Sequence, residues 1–144
     1  MEDPRIIQDT IVNEFDQAGD ALNQFTYLME YASTFPELPE SYKNDEALVR
    51  DCQSQVWLYL QERDSHLNIE ADSDTLMVRG ILGIVRKMFD GQPLSAVATT
   101  EVTFISRTDL AQVFDSKRIK GIASIMTRIK EFARANAEEK PCRT

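Results

Sequence analysis

The chain has 144 residues, 42% of them hydrophobic, and a formal charge of −8. That length suits one domain over residues 1–144 with one core, and the apolar content excludes wholesale disorder. The acidic balance argues against nucleic acid or an anionic membrane as the main partner, because both need basic surface. No apolar run approaches the length of a membrane span. The start Met1-Glu2-Asp3-Pro4 lacks the basic and apolar regions of a signal peptide. The two cysteines, Cys52 and Cys142, lie far apart with no second pair, which indicates neither a disulfide framework nor a zinc site. A cytosolic chain with reduced thiols is the expectation.

Asp3-Pro4 reads as a helix start, since Asp caps free backbone N–H groups and Pro is at home in the first turn. Ile7, Ile11 and Phe15 recur every four residues with Val12 beside them, and this helix is expected to end near Gly19. A second helix begins at Asp20, with Leu22, Phe25, Met29 and Ala32 on one face and Leu28 next to them. Phe35-Pro36-Glu37-Leu38-Pro39-Glu40 stops it, because each Pro disfavours helix in the preceding residue. A loop follows to Asp45, with Leu38 and Tyr42 as candidates for pinning it to the core. Glu37, Glu40, Asp45 and Glu46 read as its solvated face, with the option of meeting basic groups on a partner.

The run from Val56 to Leu60 carries bulk on both faces, Trp57 and Tyr59 alternating with Val56, Leu58 and Leu60. Glu62-Arg63-Asp64-Ser65 supplies a turn. His66 to Asp72 then alternates, with Leu67, Ile69 and Ala71 inward and Asn68, Glu70 and Asp72 outward. An antiparallel hairpin results, with a third short strand possible near Leu48 to Arg50. Asp72-Ser73-Asp74 ends the hairpin and caps a helix over about 75–89 that is apolar nearly all round, including Leu76, and so is the central buried one. Gly80 and Gly83 would let another backbone approach. After Asp90-Gly91-Gln92-Pro93, a short helix is expected near Leu94 to Ala98, with further short helical pieces before Phe114. The last long helix opens at Asp115-Ser116 with Ile119, Ile122, Ile125, Met126, Ile129 and Phe132 as its buried stripe. It frays beyond Ala133 into a charged tail, mobile from about 135. The fold class is α+β: two N-terminal helices, a small antiparallel sheet of two or three strands, and a helical C-terminal half packed on the sheet.

Within that plan, Cys52 stands at the end of a polar loop just before the first strand, flanked by Asp51, Gln53, Ser54 and Gln55. A rim position of this kind suits thiol chemistry, since the thiolate is the reactive species and must be reachable. A buried, inert cysteine is the bland alternative.

Several segments together resemble the SufE family of cysteine-desulfuration proteins, the sulfur acceptors of iron–sulfur cluster assembly. They are Phe25-Thr26-Tyr27-Leu28-Met29-Glu30, Phe35-Pro36-Glu37-Leu38-Pro39, Cys52-Gln53-Ser54-Gln55-Val56-Trp57, Ala71-Asp72-Ser73-Asp74 with Val78-Arg79-Gly80, and Ser116-Lys117-Arg118 with Gly121. The Cys-Gln-Ser-Gln-Val-Trp run is the specific one. The resemblance implies a SufE/IscU-like fold and a partner, a pyridoxal-phosphate-dependent cysteine desulfurase of the SufS type. It implies that Cys52 takes the outer sulfur of the desulfurase persulfide, stimulates that enzyme and passes sulfur to an iron–sulfur scaffold complex. The thiol would rest in a loop over an apolar pocket. No cofactor or metal on this chain is implied, and the protein is expected as a monomer or weak dimer.

One departure is Asp51, where the family pattern has Gly. A carboxylate there restricts the loop and raises the thiol pKa, with Arg50 as an offset. Asp51, Gln53, Asp74 and Arg118 are candidates for loop docking or partner contact. Asp74 is first of all a helix cap, and Arg118 is either a partner contact or a salt bridge to Asp72 or Asp74. Trp57 and Tyr59 read as packing. Cys142 reads as a free tail thiol.

Three other readings stay open on the residues alone. The first is a paralogue serving a different, CsdE-type desulfurase pathway. The second is an independent thiol enzyme, which would want a histidine base, although the only histidine, His66, is on a strand edge. The third is a cluster scaffold, which would want more thiolates.

Overall fold

The computed structural model describes residues 2–33, 37–49 and 54–138. Helix α1 spans Pro4–Ala18, with the Asp3 carboxylate accepting from the Arg5 amide at 2.8 Å. Helix α2 spans Ala21–Ala32, and the Asp20 carboxylate accepts from the Asn23 amide at 3.1 Å. Both starts follow the capping chemistry expected of Asp. The buried face of α2, however, is Gln24, Leu28, Tyr31 and Ala32, whereas Leu22 is exposed. The expected stripe through Leu22 and Phe25 is thus rotated. The reason is polar: Gln24 turns inward, donating to the Gly19 carbonyl and accepting from the Asp109 amide at 2.7 Å.

Strands β1 (Val56–Arg63) and β2 (His66–Ser73) form a two-stranded antiparallel sheet running from Val56 opposite Ser73 to Arg63 opposite His66. Asp64 and Ser65 join them with φ of 54° and 68°, the primed turn geometry that matches strand twist. One face carries Val56, Leu58, Leu67, Ile69 and Ala71, all buried. The anticipated third strand is reduced to an isolated bridge between Leu48 and Trp57; Arg50 lies outside the described residues.

Asp72, expected to point to solvent, is buried. It shares the outer face with Trp57 and Tyr59, and the segment after the second helix covers that face. Leu38 is buried there, Tyr42 stacks on Tyr59 at 5.0 Å, and the Lys43 ammonium lies 5.2 Å from the Trp57 ring centroid. Tyr42 itself remains exposed, so it caps the strand from outside and does not enter the core.

Helix α3 (Leu76–Phe89) packs against β2 on one side and against α1 and α2 on the other, which explains its nearly uniform apolarity. Leu76, in its first turn, is exposed all the same. Gly80 faces α2 so closely that a Cβ there would lie 2.5 Å from the Leu28 carbonyl oxygen. Helix α4 (Leu94–Thr99) leads through a 3₁₀ turn at Asp109–Gln112 to α5 (Ser116–Glu138). Helix α5 packs on α4 and β1 through Ile122, Ile125, Ile129 and Ala133, all buried. Ile119 lies outside this stripe and is 38% exposed. The helix also continues past Ala133 to Glu138.

Two expectations follow. Gly80→Ala should lower unfolding stability by about 1–3 kcal/mol, read by denaturant titration, since backbone and not a flexible side chain must give way. Tyr31 is buried against Phe15 and donates to the Glu14 carboxylate at 3.1 Å. Burial, and then the Glu14 charge, raise its pKa well above the usual tyrosine range. The stability this contributes is present below the unfolded tyrosine pKa and is lost as pH rises above about 10. The stability advantage of wild type over Tyr31→Phe should therefore shrink on alkaline titration followed by thermal melting.

Candidate functional site: a loop held at both ends

The site begins where the chain runs beside β1 before joining it. The Val49 amide donates to the Val56 carbonyl at 2.7 Å, and the Leu58 amide donates to the Ala47 carbonyl at 2.8 Å. Val49 and Val56, which flank residues 50–55 in sequence, therefore meet across a backbone hydrogen bond. Of these, Ser54 and Gln55 are described. Cys52, Asp51 and Gln53 lie outside the described residues, as do Arg50 and the expected effect of the Asp51 carboxylate on the thiol.

The returning limb is held by α3 and α5. The Gln55 amide donates to Asp74 Oδ1 at 3.1 Å, and the Asp74 amide donates to the Gln55 carbonyl at 3.2 Å. Thr75 Oγ1 donates to Ser54 Oγ at 2.6 Å, and Arg118 Nη1 donates to the same oxygen at 2.6 Å. Asp74 thus holds Gln55 through both its carboxylate and its backbone. The helix-cap expectation fails, because Thr75 occupies the N-cap and it is Ser73 Oγ that accepts from the Thr75 amide. Arg118 likewise reaches the loop, not an acidic partner: Asp72 is paired instead with Arg79 at 3.3 Å and Lys43 at 3.6 Å. Asp74 and Arg118 thus both lie against Ser54 and Gln55, and neither makes the contact expected of it, a helix cap for Asp74 and an acidic partner for Arg118.

The entering limb is held by residues that carry no sequence signal. Arg128 Nη1 donates to the Leu48 carbonyl at 2.8 Å, and its Nη2 donates to the Glu46 carbonyl. Asn44 Oδ1 accepts from the Ala47 amide at 3.0 Å. Upstream, Asp72 Oδ2 accepts from the Leu38 amide at 3.1 Å. An arginine on a helix is an ordinary surface residue by pattern; only the proximity of α5 to residues 46–48 gives Arg128 this task.

A family model described as "SufE: Fe-S metabolism associated domain" matches residues 9–133. The chain belongs to the SufE family. Among its relatives, an uncharacterized SufE-like protein of Rhizobium etli is 32% identical over 134 residues, covering 90% of each chain. A second, from Rhizobium meliloti, is 31% identical over 130 residues, covering 87% of this chain and 93% of the relative. A protein named "Cysteine desulfuration protein SufE" from Wigglesworthia glossinidia brevipalpis is 25% identical over 125 residues, covering 85% of this chain and 87% of its own. The solution structure of a hypothetical protein from Thermus thermophilus superposes with a TM-score of 0.75 at 19% identity, covering 94% of this chain and 97% of that one. That likeness establishes the α+β fold. Membership places the protein in iron–sulfur metabolism and supports a role in sulfur transfer.

Next to Ser54, this SufE-family chain has a small pocket with an apolar lining of Val56, Val78, Ile122 and Ile125, and with Lys117 and Arg118 at its edge. His66 sits at the turn end of the hairpin, its Nδ1 2.8 Å from the Asp64 carbonyl oxygen. Val56, which follows the loop, is at the opposite end of the strands, about 23 Å away at the strand rise. His66 is therefore not brought to the loop. Cys142 lies outside the described residues. Among the described residues no helix is long and apolar enough to cross a membrane.

If Asp74 holds the returning limb, Asp74→Ala should speed hydrogen exchange of the Gln55 amide about tenfold, equivalent to about 1.4 kcal/mol of local opening. Amides of α3 beyond its first turn should be unaffected. Equal acceleration across α3 would mean that Asp74 supports the helix and not the loop.

Proposed function

We propose that the protein is a sulfur carrier that accepts sulfane sulfur on Cys52 from a cysteine desulfurase and passes it on for iron–sulfur cluster assembly. One observation carries the reading. The Cys-Gln-Ser-Gln-Val-Trp run characteristic of the family spans the loop whose two limbs are tied by Asp74, Thr75, Arg118 and Arg128. The Cys52 thiolate attacks the outer sulfur of the enzyme persulfide. A new sulfur–sulfur bond forms to Cys52, the bond inside the enzyme persulfide breaks, and the enzyme cysteine leaves as a thiolate. No net oxidant or reductant is consumed.

The short polar ties on Ser54 and Gln55 suit a segment that has to release on docking. The ties to Asp74, Arg118 and Arg128 are of a kind worth about 1.5–3 kcal/mol each, and a partner can exchange them for charged contacts of its own. The desulfurase is of the SufS type on this reading. The protein is then a co-substrate and activator in the cytoplasm, a monomer or weak dimer, and not an enzyme turning over a small substrate alone. The distance of His66 from the loop supports that last point, because a thiol hydrolase would need a base beside the thiol. Asp51 and Gln53, within the loop, are then docking or partner contacts.

Mixing the protein with a SufS-type desulfurase and free cysteine, followed by alkylation and peptide mass spectrometry, tests the proposal. The expected result is one added sulfur on the Cys52 peptide and stimulated desulfurase turnover. Both should be abolished by Cys52→Ser and unchanged by Cys142→Ser. Sulfur distributed equally between Cys52 and Cys142, or stimulation that survives Cys52→Ser, would overturn the carrier role.

A further inference from the structure

A groove of about 630 Å³ runs between α5 and residues 98–106, sharing only Ile122 with the pocket beside Ser54. We propose that it docks an acidic amphipathic helix of a partner protein. Along α5, Ile119, Ala123, Met126, Lys130 and Arg134 line it. Their spacings of four, three, four and four residues put all five on one stripe of the helix surface. This stripe is not the buried one, which runs through Ile122, Ile125, Ile129 and Ala133. Ile119 is 38% exposed, Met126 half-buried and Ala123 exposed. The opposite wall offers half-buried Val102 and Ile105 over buried Phe104.

The stripe thus has the character of an unpaired helix seam. Bulk lies at Ile119 and Met126, a small residue between them lets a second helix approach, and a flexible thioether can adapt to an incoming side chain. From Ile119 to Arg134 it is about 22 Å long, four turns of helix. An open groove of that length and section matches a helix better than a small molecule, which would be enclosed.

Charge decides which helix. The groove's charged lining is Lys130 and Arg134 against the single carboxylate of Glu101, within a chain of net charge −8. The rest of the protein repels an acidic partner while this face attracts it, a polarity that orients encounter. Lys130 and Arg134 form the basic end of the groove. The Lys130 ammonium lies 5.9 Å from the Phe89 ring centroid, and its pKa is lowered by burial and then by Arg134, with Glu101 opposing. A carboxylate arriving there would relieve that cost. The apolar end lies beside the loop site, since Ile122 lines both the groove and the pocket next to Ser54.

The test uses the full chain and fluorescein-labelled peptides of about 18 residues. One has Leu at helical i, i+3, i+4 spacing with Glu elsewhere, a second has the same composition with the Leu positions scrambled, and a third has Lys in place of Glu. Wild type should raise the anisotropy of the first alone, with micromolar affinity that weakens as salt is added. Met126→Glu and Lys130→Glu should each weaken it about tenfold or more. Leu22→Glu, on the exposed face of α2, and Cys52→Ser should not change it. The double variant Lys130→Glu/Arg134→Glu should transfer preference to the Lys peptide, a gain that a misfolded protein would not show. The proposal is overturned if the first peptide fails to bind at about 1 mM, if the scrambled peptide binds equally, or if Met126→Glu is without effect. It is equally overturned if the groove instead pairs two copies of this chain in sedimentation, or prefers anionic vesicles to the peptide. Because Cys52→Ser is expected to leave peptide binding intact, this inference and the sulfur-carrier reading can fail independently.

Discussion

A single buried carboxylate holds together the parts of this protein that approach the loop. Asp72 accepts from the Leu38 and Ser73 amides and pairs with Lys43 and Arg79. Those partners come from the segment after α2, from the end of β2 and from the first turns of α3. A carboxylate removed from water is tolerated only when such partners surround it, and removing one partner is costly. The placement of residues 37–43 over Trp57 and Tyr59 therefore depends on it. So does the position of the chain that runs on toward the loop.

On this base, α5 acts as the element that ties distant parts of the chain. Arg128 reaches the entering limb and Arg118 the returning limb, while the buried isoleucines between them pack on the sheet side. One rigid helix therefore sets the separation of both limbs. The ties themselves are few and polar, in contrast to the continuous apolar contact of α3 with the sheet and α2. Strength is concentrated under the site, and the loop is left with contacts that can be exchanged.

The contrast between what was legible and what was not follows the range of the interactions. Caps at Asp3 and Asp20, the inward set Leu67, Ile69 and Ala71, and the apolar run of α3 all follow from local chemistry or strict periodicity, and the structure agrees. The errors fall where a polar residue goes inward. Gln24 rotates the buried face of α2, and Asp72 turns from solvent to core because a segment some thirty residues earlier covers it. Asp74 was read as a cap from its neighbours in sequence, yet it accepts from the amide of Gln55, the residue just before β1. A periodicity argument assigns polar residues outward by default and cannot see a buried polar group whose partners are remote.

By itself, the sequence determined the α+β plan, the order of its elements, and the family through the Cys-Gln-Ser-Gln-Val-Trp run. These depend on short-range signals: spacing of apolar residues, Pro and Gly at boundaries, and a contiguous motif. Only the tertiary structure decided that Ser54 and Gln55 are tied by Asp74, Thr75 and Arg118, that Arg128 secures the other limb, and that α5 keeps a second stripe open beside α4. The physical reason is that a side-chain tie and an open groove both require two segments, distant in sequence, to lie within a few ångströms of each other. That proximity is a property of the packed core and is not written at either position.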